Sequence, residues 1–285
     1  HPKINLNSII EIDNQRHGYI SNKWGKHIPI YLNINNSLKK YKSDIFVIAT
    51  PTDQHFTNIN NILAKHSPKL IICEKPIVSS SKDLEKLYKL VNECSTKIIT
   101  NFPRRFDMSL NIFKEEILKS NQKYHFYGTF NKGLIHNGCH MIDLIDMLVG
   151  PVSKLDPINY NIIDSDYFGK FLIKTDSCSG IISNVFSNKL AIFELTIFTD
   201  KAKFEIIGVE EKITINFVNS KPTQSQDFEI YSKKNELPYT LNKSAYNTFD
   251  YAIKLLEDEN IYRDIKLEQY NVNKIIFDFH NKFIK

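Results

Sequence analysis

The chain has 285 residues, of which 42% are hydrophobic and 24% are charged, and this composition is typical of globular proteins. At this length two domains are favoured over one. The net charge of +5 is spread thinly, without a dense lysine and arginine block. Nucleic-acid-binding proteins gather basic residues on one face, so we predict no nucleic-acid partner.

Cysteine spacing and hydropathy limit the cellular compartments in which the protein is expected. The sequence contains four widely spaced cysteines and no CxxC motif: Cys73, Cys94, Cys139 and Cys178. This spacing argues against a disulfide framework and favours a reducing, cytoplasmic location. No apolar run approaches the roughly 20 residues that span a bilayer, so we expect no membrane association and no signal peptide.

Short apolar runs alternate with amphipathic segments through the first hundred residues. Runs such as DIFVIAT at 44–50 are rich in β-branched and aromatic residues, as in strands that are buried on both faces. The predicted strands cover residues 7–13, 44–50, 70–73 and 97–100. One short helical segment is predicted to end at residue 42, and a second to cover 57–65. A third is predicted to begin at an N-cap within 79–81. This alternation indicates βαβ units on a parallel sheet.

Three of the predicted strands are followed by short motifs that contain proline. TP follows the strand at 44–50, EKP occupies 74–76, and NFP occupies 101–103. Ligands of parallel sheets bind at the carboxyl ends of the strands. We therefore predict that these motifs line one ligand-binding edge of the sheet.

The pattern changes after about residue 105. Residues 110–118 and a segment within 135–149 have helical spacing, and the tail is predicted to be helical at 246–256 and 268–283. From residue 159 onward, alternating runs at hairpin spacing predict antiparallel strands: FGKFLIKT, CSGIISNVFS, FELTIFTD, KFEIIG and KITINF.

The predicted fold class is thus α/β followed by α+β. Residues 1–105 are predicted to form a domain with a parallel sheet. Residues 106–285 are predicted to form a domain with a large, mainly antiparallel open sheet. We also expect the C-terminal helix to pack back on the first domain.

Four blocks in this order resemble the Gfo/Idh/MocA oxidoreductases, the family of glucose-fructose oxidoreductase and inositol dehydrogenase: DIFVIATPTDQH, EKP, NFPRRF and GLIHNGCHMIDLIDMLVG. The resemblance runs from about residue 8 to the C-terminus. It implies that residues 1–105 form a Rossmann-type dinucleotide-binding domain, incomplete at its N-terminus, and that residues 106–285 form a substrate and oligomerisation domain. It implies an enzyme that binds NAD or NADP and transfers a hydride between nicotinamide C4 and a carbinol or keto carbon. It implies a sugar, nucleotide-sugar or polyol substrate, and a homo-oligomer such as a dimer or tetramer.

One departure from this family concerns the cofactor. The family begins with a strand and a glycine-rich GxGxxG turn, which holds the dinucleotide pyrophosphate. Neither precedes residue 7, so the first strand and this turn are missing from the sequence. Two explanations stay open: roughly 25 to 35 residues precede His1 in the natural protein, or the protein does not bind a dinucleotide.

Two further departures are local. Many relatives carry an acid four residues before the catalytic histidine, where this sequence has His136. This replacement changes the charge beside the base. In NFPRRF, Pro103 stands where relatives often have a polar or aromatic residue, and we expect only a local effect on the backbone.

The candidate catalytic residues are Lys75, His140, Asp143 and His136. The resemblance places Lys75 at the catalytic centre, where a lysine polarises a carbonyl or stabilises an alkoxide. It also makes His140 the acid/base, a role that suits a pKa near neutrality. Asp143 lies on the same helical face and is predicted to hold the imidazole tautomer, or instead to cap or pair with a neighbouring helix. We expect His136 to bind substrate or relay a proton.

The candidate cofactor-binding residues are Asp13, Thr50, Pro51, His55, Glu74, Lys75 and Arg105. An acid such as Asp13 at the end of the second strand binds the adenosine ribose hydroxyls and favours NAD. Arg16 is close enough in sequence to contact the 2′-phosphate of NADP instead. No third ligand accompanies His136 and His140, so we predict no metal site.

Two alternatives to the dehydrogenase remain open. One is a non-catalytic sugar-binding or regulatory family member that has lost the dinucleotide site. The other is a dehydratase or glycosidase that uses tightly bound NAD for transient oxidation. The second alternative requires an additional acid/base, which the sequence does not reveal.

Overall fold

The computed structural model describes residues 1–120, 125–187, 189–207, 213–219, 230–237 and 243–283. The chain divides into two compact units. Unit 1 comprises His1–Asn101 and Phe249–Lys266, and unit 2 comprises Phe102–Thr248 and Leu267–Lys285. The assignment of a cofactor-binding domain to 1–105 and a substrate domain to 106–285 stays a prediction.

Unit 1 alternates strands and helices, as the sequence predicts. Its elements are β1 (Ile9–Ile10), α1 (Asn14–Trp24), β2 (Ile30–Tyr31), α2 (Ile34–Lys40), β3 (Ile45–Ile48), α3 (Thr52–Leu63), β4 (Leu70–Cys73), α4 (Ser81–Glu93) and β5 (Lys97–Thr100). The strands form two parallel sheets, β1-β2 and β3-β4-β5. In chain order they match strands 2 to 6 of a doubly wound sheet with the order 3-2-1-4-5-6. Within the described residues, no strand occupies the position of strand 1.

Burial distinguishes the three strands of the larger sheet. All residues of β4 and β5 are buried, as predicted for continuous apolar runs. The prediction that the run at 44–50 is buried on both faces is wrong for β3, where Val47 is 54% exposed. Both β3 and β5 are edge strands that pair only with β4, but β5 is also contacted by Leu255 and Tyr262 from the later segment of unit 1.

Local signals explain helix α4. Ser80 is the N-cap, and its hydroxyl accepts a hydrogen bond from the Asp83 N–H at 3.1 Å. Leu84, Leu87 and Val91 follow at helical spacing and are buried. The sequence therefore determines both the start and the buried face of this helix.

A late segment of the chain completes unit 1. Two long helices, α7 (Ser244–Glu257) and α8 (Glu259–Phe283), supply residues 249–266. The ammonium group of Lys97 in β5 donates to the carbonyl oxygen of Leu255. The N–H of Ile98 donates to the hydroxyl of Tyr262 at 2.9 Å. These contacts anchor the segment to the last strand of the sheet.

Unit 2 is built around an eight-stranded sheet. After a 3-10 turn (Pro103–Phe106), its elements are α5 (Met108–Leu118), β6 (His125–Phe130), a π-helical turn (Leu134–Gly138), α6 (Cys139–Val149), β7 (Val152–Ile163), β8 (Asp166–Thr175), β9 (Ser179–Asn184), β10 (Phe193–Phe198), β11 (Ala202–Ile206), β12 (Ile213–Asn219) and β13 (Ile230–Leu237). The strand order is β13-β12-β11-β10-β6-β9-β8-β7. Every pair is antiparallel except β6 and β9. The predicted mainly antiparallel sheet is confirmed.

One face of this sheet forms the core of unit 2. Alternate residues along β6 and β8, among them Phe126, Phe130 and Phe171, are fully buried. They belong to one apolar cluster with residues of the helices, including Phe113 and Ile145. The core therefore fixes helix α6 in unit 2.

Two elements later in the chain differ from the sequence prediction. Strand β7 begins at Val152, ahead of the predicted alternation, and tolerates Pro157 because it is an edge strand with a register shift there. Helix α8 begins at Glu259 rather than at 268, after Asp258, whose carboxylate accepts from the N–H of Asn260 at 2.8 Å. Gly208 and Lys212, at the ends of two predicted strands, lie outside the described residues.

Candidate active site

The predicted edge of unit 1 is formed by three neighbouring strand ends. The N–H of Glu74 donates to the carbonyl oxygen of Ile48 at 2.9 Å, and the N–H of Asn101 donates to the carbonyl oxygen of Cys73 at 2.7 Å. These bonds extend the parallel ladder one residue past β4 and β5. The side-chain amide of Asn101 then donates to the carboxylate of Glu74 at 2.7 Å. The residues after β4 and β5 therefore lie side by side at the carboxyl edge of the sheet.

His55 connects two of the loops at this edge. It is buried in α3, with Nε2 2.8 Å from the carbonyl oxygen of Thr50 and Nδ1 2.9 Å from that of Pro76. A neutral imidazole carries one N–H, so one of these contacts is a hydrogen bond in that form and both are in the protonated form. This geometry makes His55 a brace between the two loops, while its contact with a cofactor stays a prediction.

Lys75 lies in the second of the two loops that His55 joins. It follows Glu74 directly, is half-buried, and forms a cis peptide bond with Pro76. Thr50 and Pro51, after the neighbouring strand β3, are exposed. The hydroxyl of Thr50 accepts a hydrogen bond from the Asn58 amide at 3.0 Å. Unit 1 thus brings Thr50, Pro51, Glu74 and Lys75 to one edge, as predicted from strand order.

Asp13 occupies the end of the other sheet. It follows β1 and is the N-cap of α1, where Oδ1 accepts from the Gln15 N–H at 2.9 Å. The residue is exposed, so its carboxylate is accessible to a ligand. Arg16 forms an ion pair with Glu11 at 2.9 Å. The cation considered for a 2′-phosphate therefore already has an acidic partner.

The donors and acceptors of unit 1 fit part of a dinucleotide. The exposed carboxylate of Asp13 suits a ribose hydroxyl. The side chains of Lys75 and Asn101, an ammonium and an amide, suit polar groups at the other end of a dinucleotide. Helix α3 begins after Pro51 without a side-chain cap, which leaves N–H groups at its start. No glycine-rich turn that would hold a pyrophosphate is present among the residues described.

The two candidate histidines of unit 2 lie around an irregular turn. The N–H groups of Asn137 and Gly138 both donate to the Gly133 carbonyl oxygen, at 3.1 and 3.0 Å. The i to i+5 bond makes this turn π-helical, a feature that is frequent at functional sites. Exposed His136 lies within the turn. The α-helical spacing that would stack His136 on His140 therefore does not apply.

His140 lies in the first turn of α6. It is half-buried, and its ring meets Phe102 edge to face with centroids 5.7 Å apart. Gly138 precedes it at a close contact, because a side chain there would overlap the ring of Phe130. The start of α6 is therefore tightly packed, and this packing limits where His140 can lie.

Asp143 and Arg105 form a buried ion pair. Arg105 Nε donates to Asp143 Oδ1 at 2.6 Å, and both side chains are almost completely buried. The other oxygen, Asp143 Oδ2, is buried without a hydrogen-bond partner in the described part of the chain. The carboxylate predicted to hold His140 is thus occupied by Arg105, and its action on His140 stays a prediction.

Arg105 also contacts two further acids. Its Nη2 donates to Asp146 at 3.2 Å, and its Nη1 donates to Glu268 in α8. Asp146 Oδ1 also accepts from the Val152 N–H at 2.9 Å and the Asn271 amide at 3.1 Å. One guanidinium thus joins three carboxylates inside unit 2. Contact of Arg105 with a cofactor stays a prediction.

Burial controls the charges in this network. Burial raises the pKa of Asp143 to about 7, and the attraction of Arg105 only partly offsets that effect. Burial also raises the pKa of Asp146, against the hydrogen bonds that it accepts. For Arg105, burial opposes the charge, but the three carboxylates more than compensate and raise its pKa. The guanidinium therefore stays protonated while Asp143 titrates near neutral pH.

Sequence reasoning missed Asp146, Glu268 and Asp166, which touch the candidate residues or their backbone. A signal existed for Asp146, because two acids three residues apart interrupt the apolar run MIDLIDMLV and need partners when buried. Glu268 meets Arg105 across 163 positions, and Asp166 meets His136 across 30 positions. No local pattern announces either contact.

The chain is similar to known oxidoreductases in sequence and in fold. Residues 1–102 match the family described as "Oxidoreductase family, NAD-binding Rossmann fold", the Gfo/Idh/MocA family. Over these residues the chain is similar to the Gfo/Idh/MocA oxidoreductases. Inositol 2-dehydrogenase of Rhizobium meliloti (strain 1021) is 38% identical to the chain over 64 residues, which are 22% of this chain and 19% of that protein. The match therefore spans about a fifth of this relative.

Solved structures extend the similarity of fold to both units. The dehydrogenase MviM of Clostridium difficile has a TM-score of 0.71 at 12% identity, and the match covers 96% of this chain and 89% of that one. KijD10, a 3-ketoreductase of Actinomadura kijaniata in complex with TDP-benzene and NADP, has a TM-score of 0.69 at 15% identity, with coverages of 95% and 88%. The WlbA dehydrogenase of Bordetella pertussis, in complex with NADH and UDP-GlcNAcA, has a TM-score of 0.66 at 15% identity, with coverages of 96% and 86%. These likenesses confirm the two-part Gfo/Idh/MocA fold.

Among the residues that the structure describes, no helix combines the length and the hydrophobicity needed to cross a bilayer.

Proposed function

We propose that this protein is an NAD(P)-dependent oxidoreductase that moves a hydride between nicotinamide C4 and a carbinol or keto carbon of a sugar or nucleotide sugar. The observation that carries the proposal is the carboxyl edge of β3, β4 and β5, where Lys75 lies in a loop that His55 joins to the loop of Thr50. Ligands bind at this edge in parallel sheets. Relatives with the same fold hold NADP or NADH beside nucleotide-linked ligands, which supports the substrate class.

Lys75 is assigned to the reacting oxygen. A lysine ammonium is a compact charge with three donors, which suits an oxygen that becomes negative during the reaction. His55 and the hydrogen bond between Asn101 and Glu74 fix the loops on both sides of it. The backbone on both sides of Lys75 is therefore held in place.

His140 is assigned to the proton. An imidazole with a pKa near neutrality accepts a proton from a carbinol or returns one to a carbonyl. A bound nicotinamide supplies or accepts the hydride. His136 is exposed in the π-helical turn and is assigned to substrate hydrogen bonding. Asp143, held by Arg105, is assigned to the support of helix α6.

Two observations favour NAD over NADP. Asp13 presents an exposed carboxylate at the end of β1, which would accept from ribose hydroxyls and repel a 2′-phosphate. Arg16, the nearest cation in sequence, is paired with Glu11. We therefore propose NAD as the preferred cofactor.

The alternative function is that of a non-catalytic sugar-binding or regulatory family member. A sugar-binding or regulatory protein with this fold would retain unit 2 and would bind no dinucleotide. The homo-oligomer, a dimer or tetramer, is part of the proposal in either case.

Calorimetry separates these functions. NADH and NADPH are titrated separately into this chain and into the natural full-length protein. The proposal expects micromolar binding by the full-length protein, with NADH the tighter ligand. No binding of either cofactor to the full-length protein would overturn the proposed oxidoreductase in favour of the sugar-binding alternative.

Turnover on nucleotide sugars then tests the residues. Lys75→Met and His140→Asn are each expected to lower kcat by about 100-fold or more. The matched control is Lys69→Met, because Lys69 precedes the same strand, is exposed, and pairs with Asp44 at 3.0 Å. Unchanged kcat in both test variants would contradict the assignments.

A further inference from the structure

A tight turn delivers Asp166 to the segment that carries the histidines. Ile163 and Asp166 pair across the β7–β8 hairpin. Asp164 and Ser165 between them have φ angles of 49° and 63°, as in the two-residue turns that suit the twist of a hairpin. Asp166 is therefore the first residue of β8, and a rigid hairpin end sets the position of its carboxylate.

The Asp166 carboxylate binds three backbone N–H groups. Oδ1 accepts from Ile135 at 2.8 Å and from its own neighbour Tyr167 at 2.7 Å. Oδ2 accepts from His136 at 2.9 Å. The first N–H groups of a helical segment have no partner within it, and a charged acceptor makes strong bonds to them. Asp166 therefore caps the π-helical turn from outside the segment.

Gly133 provides the space for this cap. Its φ of 78° is a conformation that favours glycine, and a Cβ at this position would overlap the Asp166 carboxylate. The same residue accepts both i to i+4 and i to i+5 hydrogen bonds of the turn through its carbonyl oxygen. Two residues more than thirty positions apart thus fix one backbone conformation.

We propose that Asp166 is a positioning residue for the reaction, which holds the π-helical turn and through it the orientation of His140. This inference rests on the proposed function, in which His140 handles the proton. A π-helical turn contains one residue more than the α-helix in its place, and one residue corresponds to about 100° of rotation around a helix axis. Relaxation of the turn would therefore change the direction of His136 relative to His140.

The test compares Asp166→Asn with Asp164→Asn. Both remove one carboxylate from the same hairpin turn, but only Asp166 contacts the histidine segment. The amide introduced by Asp166→Asn would keep one acceptor and turn an N–H₂ group toward the N–H of His136. In this variant, amide hydrogen exchange at Ile135 and His136 is expected to become at least about tenfold faster, and kcat to fall about 10- to 100-fold. Cofactor affinity is expected to stay unchanged in Asp166→Asn. In the exposed turn variant Asp164→Asn, the exchange rates and kcat are expected to stay unchanged as well.

A second variant protects the test against misfolding. Asp166→Glu keeps the charge and both acceptor oxygens but displaces them by one methylene toward the space beside Gly133. Faster exchange at His136 and a lower kcat are expected here too, because position rather than charge carries the effect. Full activity of Asp166→Glu with unchanged exchange would overturn the proposal.

The remaining outcomes separate this inference from the proposed function. Unchanged exchange in Asp166→Asn would overturn the cap, and faster exchange with unchanged kcat would overturn its role in catalysis. Absence of turnover in the unsubstituted full-length protein would overturn the proposed function. The exchange measurement, which requires no substrate, would then decide on its own whether Asp166 holds the turn.

Discussion

Replacement of Arg105 by methionine should destabilise unit 2 in a pH-dependent way. Arg105 is 4% exposed and is the cation that contacts Asp143, Asp146 and Glu268. Methionine fills a similar length without charge. The substitution would therefore leave three carboxylates near one another in the interior without this partner.

The expected loss follows from the burial of the acids. Breaking a buried ion pair by removing one partner costs about 3–5 kcal/mol of unfolding free energy. Most of this cost comes from Asp143 and Asp146, because the Glu268 side chain is 32% exposed and screened by water. Loss of about 3–5 kcal/mol is expected at pH 8, where the carboxyls would otherwise be ionised.

The sign of the pH dependence comes from Asp143. Its pKa is raised from 3.8 to about 7, so the folded protein retains the proton longer than the unfolded chain. This residue therefore makes the unsubstituted protein less stable as pH rises from about 4 to about 7. Without Arg105 the pKa would rise further, and protonation would relieve the unpaired charge. The loss in Arg105→Met should therefore be about 2 kcal/mol smaller at pH 5.5 than at pH 8.

The assay must report on unit 2. The single tryptophan, Trp24, lies in unit 1, so its fluorescence does not follow this network. Urea unfolding monitored by amide exchange in α6, at pH 8 and at pH 5.5, does follow it. Lys274→Met is the matched control, because Lys274 is exposed, lies in the unit 2 part of α8 and pairs with the exposed Asp278, so a loss below about 1 kcal/mol is expected. Equal losses at both pH values, or a loss no larger than the control, would refute the reasoning.

Three further predictions concern single contacts. Gly133→Ala should lose more stability than Gly150→Ala: both have positive φ, but only Gly133 has a neighbour where the methyl group would lie, and thermal unfolding of the pair measures the difference. Tyr262→Phe should leave the buried Ile98 N–H without its acceptor and cost about 1–3 kcal/mol, measured by amide exchange in β5. His55→Leu should cost about 1–3 kcal/mol, followed by Trp24 fluorescence, and a loss under about 0.5 kcal/mol would contradict the brace.

The parts of the fold that the sequence predicts are those with a local cause. Strands β4 and β5 have the predicted bounds because continuous apolar runs end at charged or polar residues. Ser80 marks the start of α4 through its own side chain. Strand β7 and the early start of α8 were not predicted, because Pro157 disfavours a strand and the stretch after Asp258 is charged. The tertiary environment decides both.

The candidate site divides in the same way. Lys75 and His140 could be singled out because each lies in a short block whose order along the chain is informative. The partners that hold the second block, Glu268 and Asp166, come from a distant helix and a hairpin turn. Their roles depend on three-dimensional contacts between segments that share no sequence pattern. Only the pair of acids in α6 offered a local hint, because a buried charge requires a partner.

The discontinuity of unit 1 has a consequence for protein synthesis. The ribosome releases residues 1–101 first, but residues 249–266, which bond to Lys97 and Ile98, emerge only after residues 102–248. At about 5–20 residues per second, this interval lasts roughly 7 to 30 seconds. During that time the outer side of β5 lacks its final neighbour, so the nascent chain is exposed to chaperones and proteases. Premature termination before residue 249 would therefore damage the earliest part of the protein as well as its end.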